Sequence, residues 1–450
     1  MTAPTGSIET LLPVRTGEDR RLVIMLATAL LVTVPLNTQG QLTAAVAAGL
    51  CALLVLCTLP RLIVFLRRNP LLMTMPLLIG VSFLWSDQPV LSLRLGIQEV
   101  ATLLAAIAIA ATCRERTLQR ILMIALGLTV VGCILHGGTG PSERGPVLIG
   151  YMGSKDPLAL VAYLGALVAF SVTIDRENGL GWRLLALTLM PVCGVVAASL
   201  HAATAVISLA LALFLFLAIG MLRRFPVLRR GIVLLALVAG PVMLLGILDF
   251  WSDLFSAVMK TLGKSSTITG RTILWAKGLD LFAGSPLLGL GYRSFWVGES
   301  NTAFSLLLQM GQTDGRGFHF HQQFIEFAVD TGIVGLTAFL TLLTVSLKRA
   351  WTYATTSSSL IAPLWFSILV VYCIRFFGET VSTPFNIDVI VLFIVITIIA
   401  RQSEALRRDA PRPMKGLIGS LDADRLGLQR SPGWPVGTRG QTSQFEQRPV

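Results

Sequence analysis

Apolar and polar positions alternate along this chain in long blocks. Charge-free apolar runs recur from residue 22 to residue 400, separated by short polar loops. Twelve segments can be marked, at about 22–36, 41–59, 70–85, 97–112, 121–135, 158–174, 184–199, 202–221, 231–249, 323–347, 361–378 and 387–400. None alternates residue by residue, which argues against a membrane β-barrel. Helices satisfy their own backbone hydrogen bonds in lipid, so the pattern predicts an all-α polytopic membrane protein of about 12 transmembrane helices. Several segments are short for a hydrocarbon layer of about 30 Å and must recruit flanking residues. Residues 1–20 are polar and expected to be disordered and cytoplasmic. They lack the order of a cleavable signal peptide, so the first span is expected to stay as an anchor. Residues 401–450, rich in Pro, Gly, Arg and Gln, cannot bury a core and read as a disordered cytoplasmic tail. Asp422-Ala423-Asp424 within it lacks the α/β surroundings of a nucleotide-sugar site. The transmembrane domain is therefore assigned to residues 21–400.

The loops orient the spans. Arg15, Arg20 and Arg21, Arg61, Arg67 and Arg68, Arg114, Arg116 and Arg120, Arg176 and Arg183, Arg223, Arg224, Arg229 and Arg230, and Lys348 and Arg349 all fall in alternate loops. Basic loops stay inside, so both termini are expected in the cytoplasm. The formal charge of +12 is thereby placed in short clusters between spans, which excludes a nucleic-acid groove. Composition agrees: 54% of residues are apolar and 13% charged, against about 25% charged in soluble domains. The six cysteines, in or beside spans and without C-x-x-C spacing, read as small buried residues.

One long outer segment, residues 250–322, breaks the charge rule. Lys260, Lys264, Arg271, Lys277, Arg293 and Arg316 lie in it. Ile273, Leu274, Lys277, Gly278, Leu281 and Phe282 recur at helical spacing after Gly270, and Gly284-Ser285-Pro286 ends the pattern. An amphipathic helix on the outer surface, with Arg271 in its first turn, is expected. Gly289 and Gly291 allow a tight turn presenting Tyr292 and Arg293. Two rigidly held arginines suit a diphosphate, because guanidinium offers a bidentate fork; the bland alternative is snorkelling to lipid phosphates. His319 and His321 precede span ten. If that helix begins early, His319, Gln322, Gln323 and Glu326 form one polar face. An interfacial polar belt is the competing reading, and two histidines with one glutamate make a poor metal site. His136, Arg144, Gly153-Ser154-Lys155-Asp156 and His201 also lie on outer loops. Arg375 and Glu379, one turn apart at the inner end of span eleven, are expected to pair within the bundle.

Four segments resemble a known family. Trp85-Ser86-Asp87-Gln88-Pro89 with Ser92-Leu93-Arg94 is similar to a W-S-x-D-P…S-x-R segment. Gly150 through Asp156 is similar to a G-x-F-x-H-K-N loop, departing at the His and Asn. Gly270-Arg271-Thr272, Trp275 and Pro286 through Gly291 match G-R-x-x-x-W…P-L-x-G-x-G. His319-Phe320-His321, Glu326 and Gly332-Ile333-Val334-Gly335 match H-x-H-N…E…G-I-x-G, with Gln322 in place of Asn. Ser199-Leu200-His201 stands where the family often has S-x-S-R or S-x-S-K. The chain thus resembles the O-antigen ligase/Wzy polymerase superfamily, and within it the succinoglycan-type exopolysaccharide polymerases, over roughly residues 70–400.

The resemblance implies a GT-C-like membrane glycosyltransferase in a bacterial inner membrane. Its periplasmic loop at 250–322 would be catalytic, and its substrates undecaprenyl-diphosphate-linked oligosaccharides. No metal, nucleotide or other cofactor is implied. Membrane lipids, a flippase and a chain-length regulator are the implied partners. Arg271, Arg293 and Arg94 would clamp the diphosphate, with Trp275 and Tyr292 beside it. His321 takes the base position of the family motif, His319 is favoured by the helix-face argument, and Glu326 would orient the base or bind acceptor sugar. An O-antigen ligase and a lipid-linked oligosaccharide transporter are the rival readings.

Overall fold

The computed structural model describes residues 17–140, 145–200, 202–225, 227, 267–297, 301–311, 318–381 and 383–409. Residues Met1–Leu406 form one compact unit, and the remaining unit, Arg407–Val450, has described residues only to 409. The helices are α1 (Gly17–Thr33), α2 (Gln41–Arg68), α3 (Thr74–Val81), α4 (Pro89–Thr112), α5 (Glu115–His136), α6 (Lys155–Ile174), α7 (Leu180–Ser199) and α8 (Ala203–Leu222). After residue 266 come α9 (Thr267–Gly284), α10 (Ser294–Val297), α11 (Asn301–Gln309), α12 (Gln323–Thr356), α13 (Ala362–Arg375) and α14 (Ile387–Asp409). A two-residue hairpin pairs Thr139–Gly140 with Val147–Leu148. Among the described residues, seven helices are long and apolar enough to cross a membrane: α2, α4, α5, α6, α7, α12 and α14. The protein is an all-α, multi-pass membrane protein. Helices cover eleven of the twelve segments marked in the sequence; the one at 231–249, the segment 228–266 around it, and the C-terminal tail beyond 409 lie outside the described residues.

Burial sorts the helices. α6 is mostly buried and packs along α5, α7 and α8. α2 and α7 expose large apolar side chains such as Leu53, Leu56, Leu184 and Val195, which suits a lipid-facing rim. Span three is not one rod. Short 3-10 turns at Pro70–Met73 and Ser82–Leu84 flank α3. Its C-terminal end is fastened by Ser82, whose Oγ donates to the Ile79 carbonyl at 2.8 Å and accepts the Tyr292 N–H at 3.2 Å.

One joint positions the site. α12 breaks at Gly332, with φ 63° and ψ −164°. A broken helix leaves carbonyls and N–H groups without intrahelical partners. Here the loop Pro286–Gly291 takes them up. Leu290 and Gly291 N–H donate to the carbonyls of Val329 (2.8 Å) and Asp330 (3.0 Å), and Ile333 and Val334 N–H donate to those of Pro286 (2.8 Å) and Leu287 (3.3 Å). A Cβ on Gly332 would overlap the Leu287 backbone, and one on Gly289 the Val329 carbonyl. The segment after α3 closes the other side. Trp85 Nε1 donates to the Leu288 carbonyl at 2.8 Å, Asp87 N–H to Leu290 at 3.1 Å, and Ser92 Oγ to Tyr292 at 2.9 Å. Gly291 has φ 96°, and a Cβ there would overlap Ser86. The P-L-x-G-x-G, G-I-x-G and W-S-x-x-P patterns are thus three faces of one backbone-made joint.

Candidate active site

The joint holds a short segment, Phe318–His321, against the start of α12. Gln322 caps that helix, its Oε1 accepting the Ile325 N–H at 2.6 Å. Glu326, one turn in, is buried. Its Oε2 accepts the Phe320 N–H at 2.8 Å, and its Oε1 the Arg293 Nη1 at 3.1 Å. Arg293 Nη2 donates to the Phe318 carbonyl at 2.9 Å, and Trp275 Nε1 on α9 to the Phe320 carbonyl at 3.0 Å. Phe320 therefore has both backbone groups taken by side chains. Its ring stacks on Phe295 at 5.7 Å and meets Trp296, in an apolar cluster with Leu274 and Val329. The histidines on either side of Phe320 stand on a rigid base.

The two histidines differ sharply. His321 has φ 54°, in the left-handed region that a side chain rarely occupies. Its N–H donates to His319 Nδ1 at 3.1 Å. A nitrogen that accepts carries no proton, so neutral His319 holds its proton on Nε2. Burial, with the nearby His321, Arg293 and Arg271 charges, pushes the His319 pKa down to about 3. His319 is a neutral donor whose basic nitrogen is occupied. His321 Nδ1 instead faces Glu379 Oε2 at 3.6 Å, ion-pair range and slightly long for a direct hydrogen bond. The negative charge on the Nδ1 side favours a proton there, which makes Nε2 the accepting nitrogen.

Glu379 is the residue that joins the cluster. Its other oxygen takes Arg271 Nη2 at 3.3 Å, while Arg271 Nη1 donates to the Gly378 carbonyl at 2.9 Å. Burial would raise the Glu379 pKa, but His321, Arg271 and His319 together draw it down to about 2, so the carboxylate stays ionised. The side chains of Arg271, His321 and Glu379 are 37%, 29% and 24% exposed, respectively, so all three meet solvent. His319, His321 and Glu379 bring ligand atoms within 4.8 Å of one another, the one trio among the described residues with such convergence. The Arg271 guanidinium on the same carboxylate opposes a cation there, and the arrangement suits proton transfer beside an anion.

Several expected placements change. Arg375 does not pair with Glu379. α13 ends at Arg375, and the following turn carries Glu379 to the histidines, while Arg375 Nη1 binds Asp388 at 2.8 Å. Span eleven runs back toward the histidine end, so Glu379 lies there and not at the opposite face. The polar helix face through His319 does not form, because α12 starts only at Gln323. Arg293 is 2% exposed and lies behind the histidine segment, amid the carboxylates of Glu326, Asp330 and Glu99. It holds the site together and is not open to a diphosphate. Tyr292 is fully buried, and Glu326 is too deep to meet a sugar. Arg94 is exposed on α4, two residues beyond Ser92, which faces the joint. Arg271 sits in the second turn of α9, because that helix begins at Thr267. The Gly150–Asp156 segment caps α6 and places the Tyr151 hydroxyl on the Thr129 carbonyl at 3.2 Å. Arg144, His201, Lys260, Lys264, Arg316 and Gly317 lie outside the described residues.

Fold and cluster together define a multi-pass membrane protein with an Arg–Glu–His group set beside a loop-and-broken-helix joint. Comparison with known proteins agrees. A family model described as O-Antigen ligase matches residues 184–340. The exopolysaccharide production protein ExoQ of Rhizobium meliloti (strain 1021) is 30% identical over 327 residues, covering 70% of this chain and 73% of that protein. The chain belongs to the O-antigen ligase/Wzy polymerase superfamily, on its succinoglycan-type side.

Proposed function

We propose that the protein polymerises undecaprenyl-diphosphate-linked oligosaccharide repeat units into exopolysaccharide. The reaction is set at the periplasmic face of the inner membrane, with both termini in the cytoplasm. The observation carrying the mechanism is the shared carboxylate of Glu379, which ties a half-exposed arginine to a histidine with a free Nε2. The acceptor hydroxyl oxygen attacks the anomeric carbon of the donor, and the bond from that carbon to the diphosphate breaks. His321 Nε2 takes the hydroxyl proton. The lipid diphosphate leaves as an anion, and Arg271 meets the developing charge. Attack opposite the leaving group inverts the anomeric centre. Glu379 keeps His321 in the accepting tautomer and stabilises the imidazolium. Arg293 and Glu326 hold the segment from behind, and Nε2–H of His319 is available to a sugar or phosphate oxygen. The leaving group is already a diphosphate, so the cluster's own cation can do what a divalent ion does in nucleotide-sugar enzymes.

The test uses the purified full chain with synthetic lipid-linked repeat units, with and without a chelator. Chain extension in both conditions is expected. His321→Ala should lower turnover by about 10²–10⁴-fold, and Arg271→Ala should raise KM for the donor. Extension by His321→Ala at the wild-type rate would refute the base assignment. The family description favours a ligase as second reading. Transfer of preformed glycan to lipid A core, with no extension of single repeats, would establish that reading instead.

A further inference from the structure

A second cavity lies far from the histidines. It has a volume of about 140 Å³ and sits between the end of α2, the later part of α12 and α14. Arg68, Asn69, Ser346 and Arg349 line one part, and Leu72 and Leu342 belong to its apolar part. From the break at Gly332 to Arg349, α12 runs 17 positions, about 26 Å at a rise of 1.5 Å per residue. The cavity therefore lies at the end of α12 remote from the histidines, beside the C-terminal end of α2. Its formal charge is positive. Arg68 has one carboxylate nearby, Glu404 at 3.7 Å, too long for a hydrogen bond.

We propose that this cavity binds the phosphate headgroup of an anionic phospholipid. Two guanidinium groups offer the forked donors that a phosphodiester accepts. Asn69 and Ser346 can reach its remaining oxygens. The apolar wall suits the glycerol and first acyl carbons, which inorganic phosphate lacks. Basic pockets between spans at a cytoplasmic face recognise headgroups in this way. The lipid would bridge α2, α12 and α14, and so brace the long helix whose other end carries the Phe318–His321 segment.

The experiment takes the delipidated full chain in detergent and titrates phosphatidylglycerol, phosphatidylcholine and inorganic phosphate, reading bound lipid by native mass spectrometry and thermal midpoint. Phosphatidylglycerol should bind saturably and raise the midpoint, and phosphatidylcholine should not. Arg68→Gln and Arg349→Gln should each weaken half-saturation about fivefold, at roughly 1 kcal/mol per basic residue. Arg68→Lys should bind less tightly than wild type and more tightly than Arg68→Gln, because it keeps the charge and loses the fork. A midpoint in phosphatidylcholine equal to wild type shows that each single variant is folded. Equal binding of both lipids, unchanged binding by both Gln variants, or displacement of phosphatidylglycerol by equimolar inorganic phosphate would overturn the proposal.

Discussion

Replacing Glu379 by Gln isolates the charge that orients His321. The side chain keeps its size, and its carbonyl oxygen can still accept from Arg271. What disappears is a negative charge 3.6 Å from His321 Nδ1. A full charge pair at that distance interacts by about 4–5 kcal/mol at an effective dielectric near 20. The two side chains are 29% and 24% exposed, and Arg271 draws on the same carboxylate. Solvent and that competing cation leave roughly 1.5–2.5 kcal/mol, or about 10- to 60-fold in rate. The interaction strengthens only as the imidazolium forms, so the loss falls on kcat. KM for the lipid-linked donor should hold or decrease, because Arg271 loses a competing anion. Initial rates against donor concentration, measured on protein of unchanged thermal midpoint, separate the two constants. Glu379→Asp should recover part of kcat. A raised KM with kcat unaltered would refute the orienting role and make Glu379 a binding residue.

Arg293→Ala should destabilise the protein by about 3–5 kcal/mol, seen as lost folded yield, because it strands the buried carboxylate of Glu326. Gly291→Ala should lower the unfolding midpoint clearly, since the new Cβ meets Ser86 at a φ of 96°. Stability should fall steadily on acidification. His319 is lowered from 6.5 to about 3, so the unfolded chain takes its proton first, and this contribution is complete above pH 6.5 and lost toward pH 3. Glu379, lowered from 4.5 to about 2, adds a contribution complete above pH 4.5 and lost toward pH 2. A pH series of thermal melts should therefore be flat above about 6.5 with respect to these groups, and His319→Gln should flatten the stretch from 6.5 to 4.5.

Much of the architecture was legible because lipid leaves the chain few choices. Apolar run length alone located eleven helices, and Gly284-Ser285-Pro286 marked the end of α9. Arg271 stood out as a cation in an apolar setting. The chemistry around it was harder to read, for identifiable reasons. Spacing along a helix suggested that Arg375 and Glu379 should pair, but the helix stops at Arg375, and spacing rules lapse at a terminus. The direction of span eleven was the available signal, since it returns the chain to the histidine end. Gln322 reads as a helix residue until its side chain is seen capping Ile325, and that one boundary removes the helix-face argument for His319. Arg293 was expected at the surface because it follows two glycines. Glu326 and Asp330, one turn apart in an apolar helix, already called for a buried cation.

The joint between residues 82–92, 286–293 and 329–334 also sets a timetable. Trp85 and its partner Leu288 are 203 residues apart. At synthesis rates of about 5–20 residues per second, the C-terminal end of α3 waits roughly 10–40 s for its partner loop to emerge. Glu379 arrives later still, 91 residues after Leu288. An incomplete polypeptide therefore inserts most of its spans before the Arg–Glu–His cluster can assemble. Premature termination between residues 112 and 288 leaves a chain with several spans in place, and the indole N–H of Trp85 without its Leu288 partner, for quality control to find.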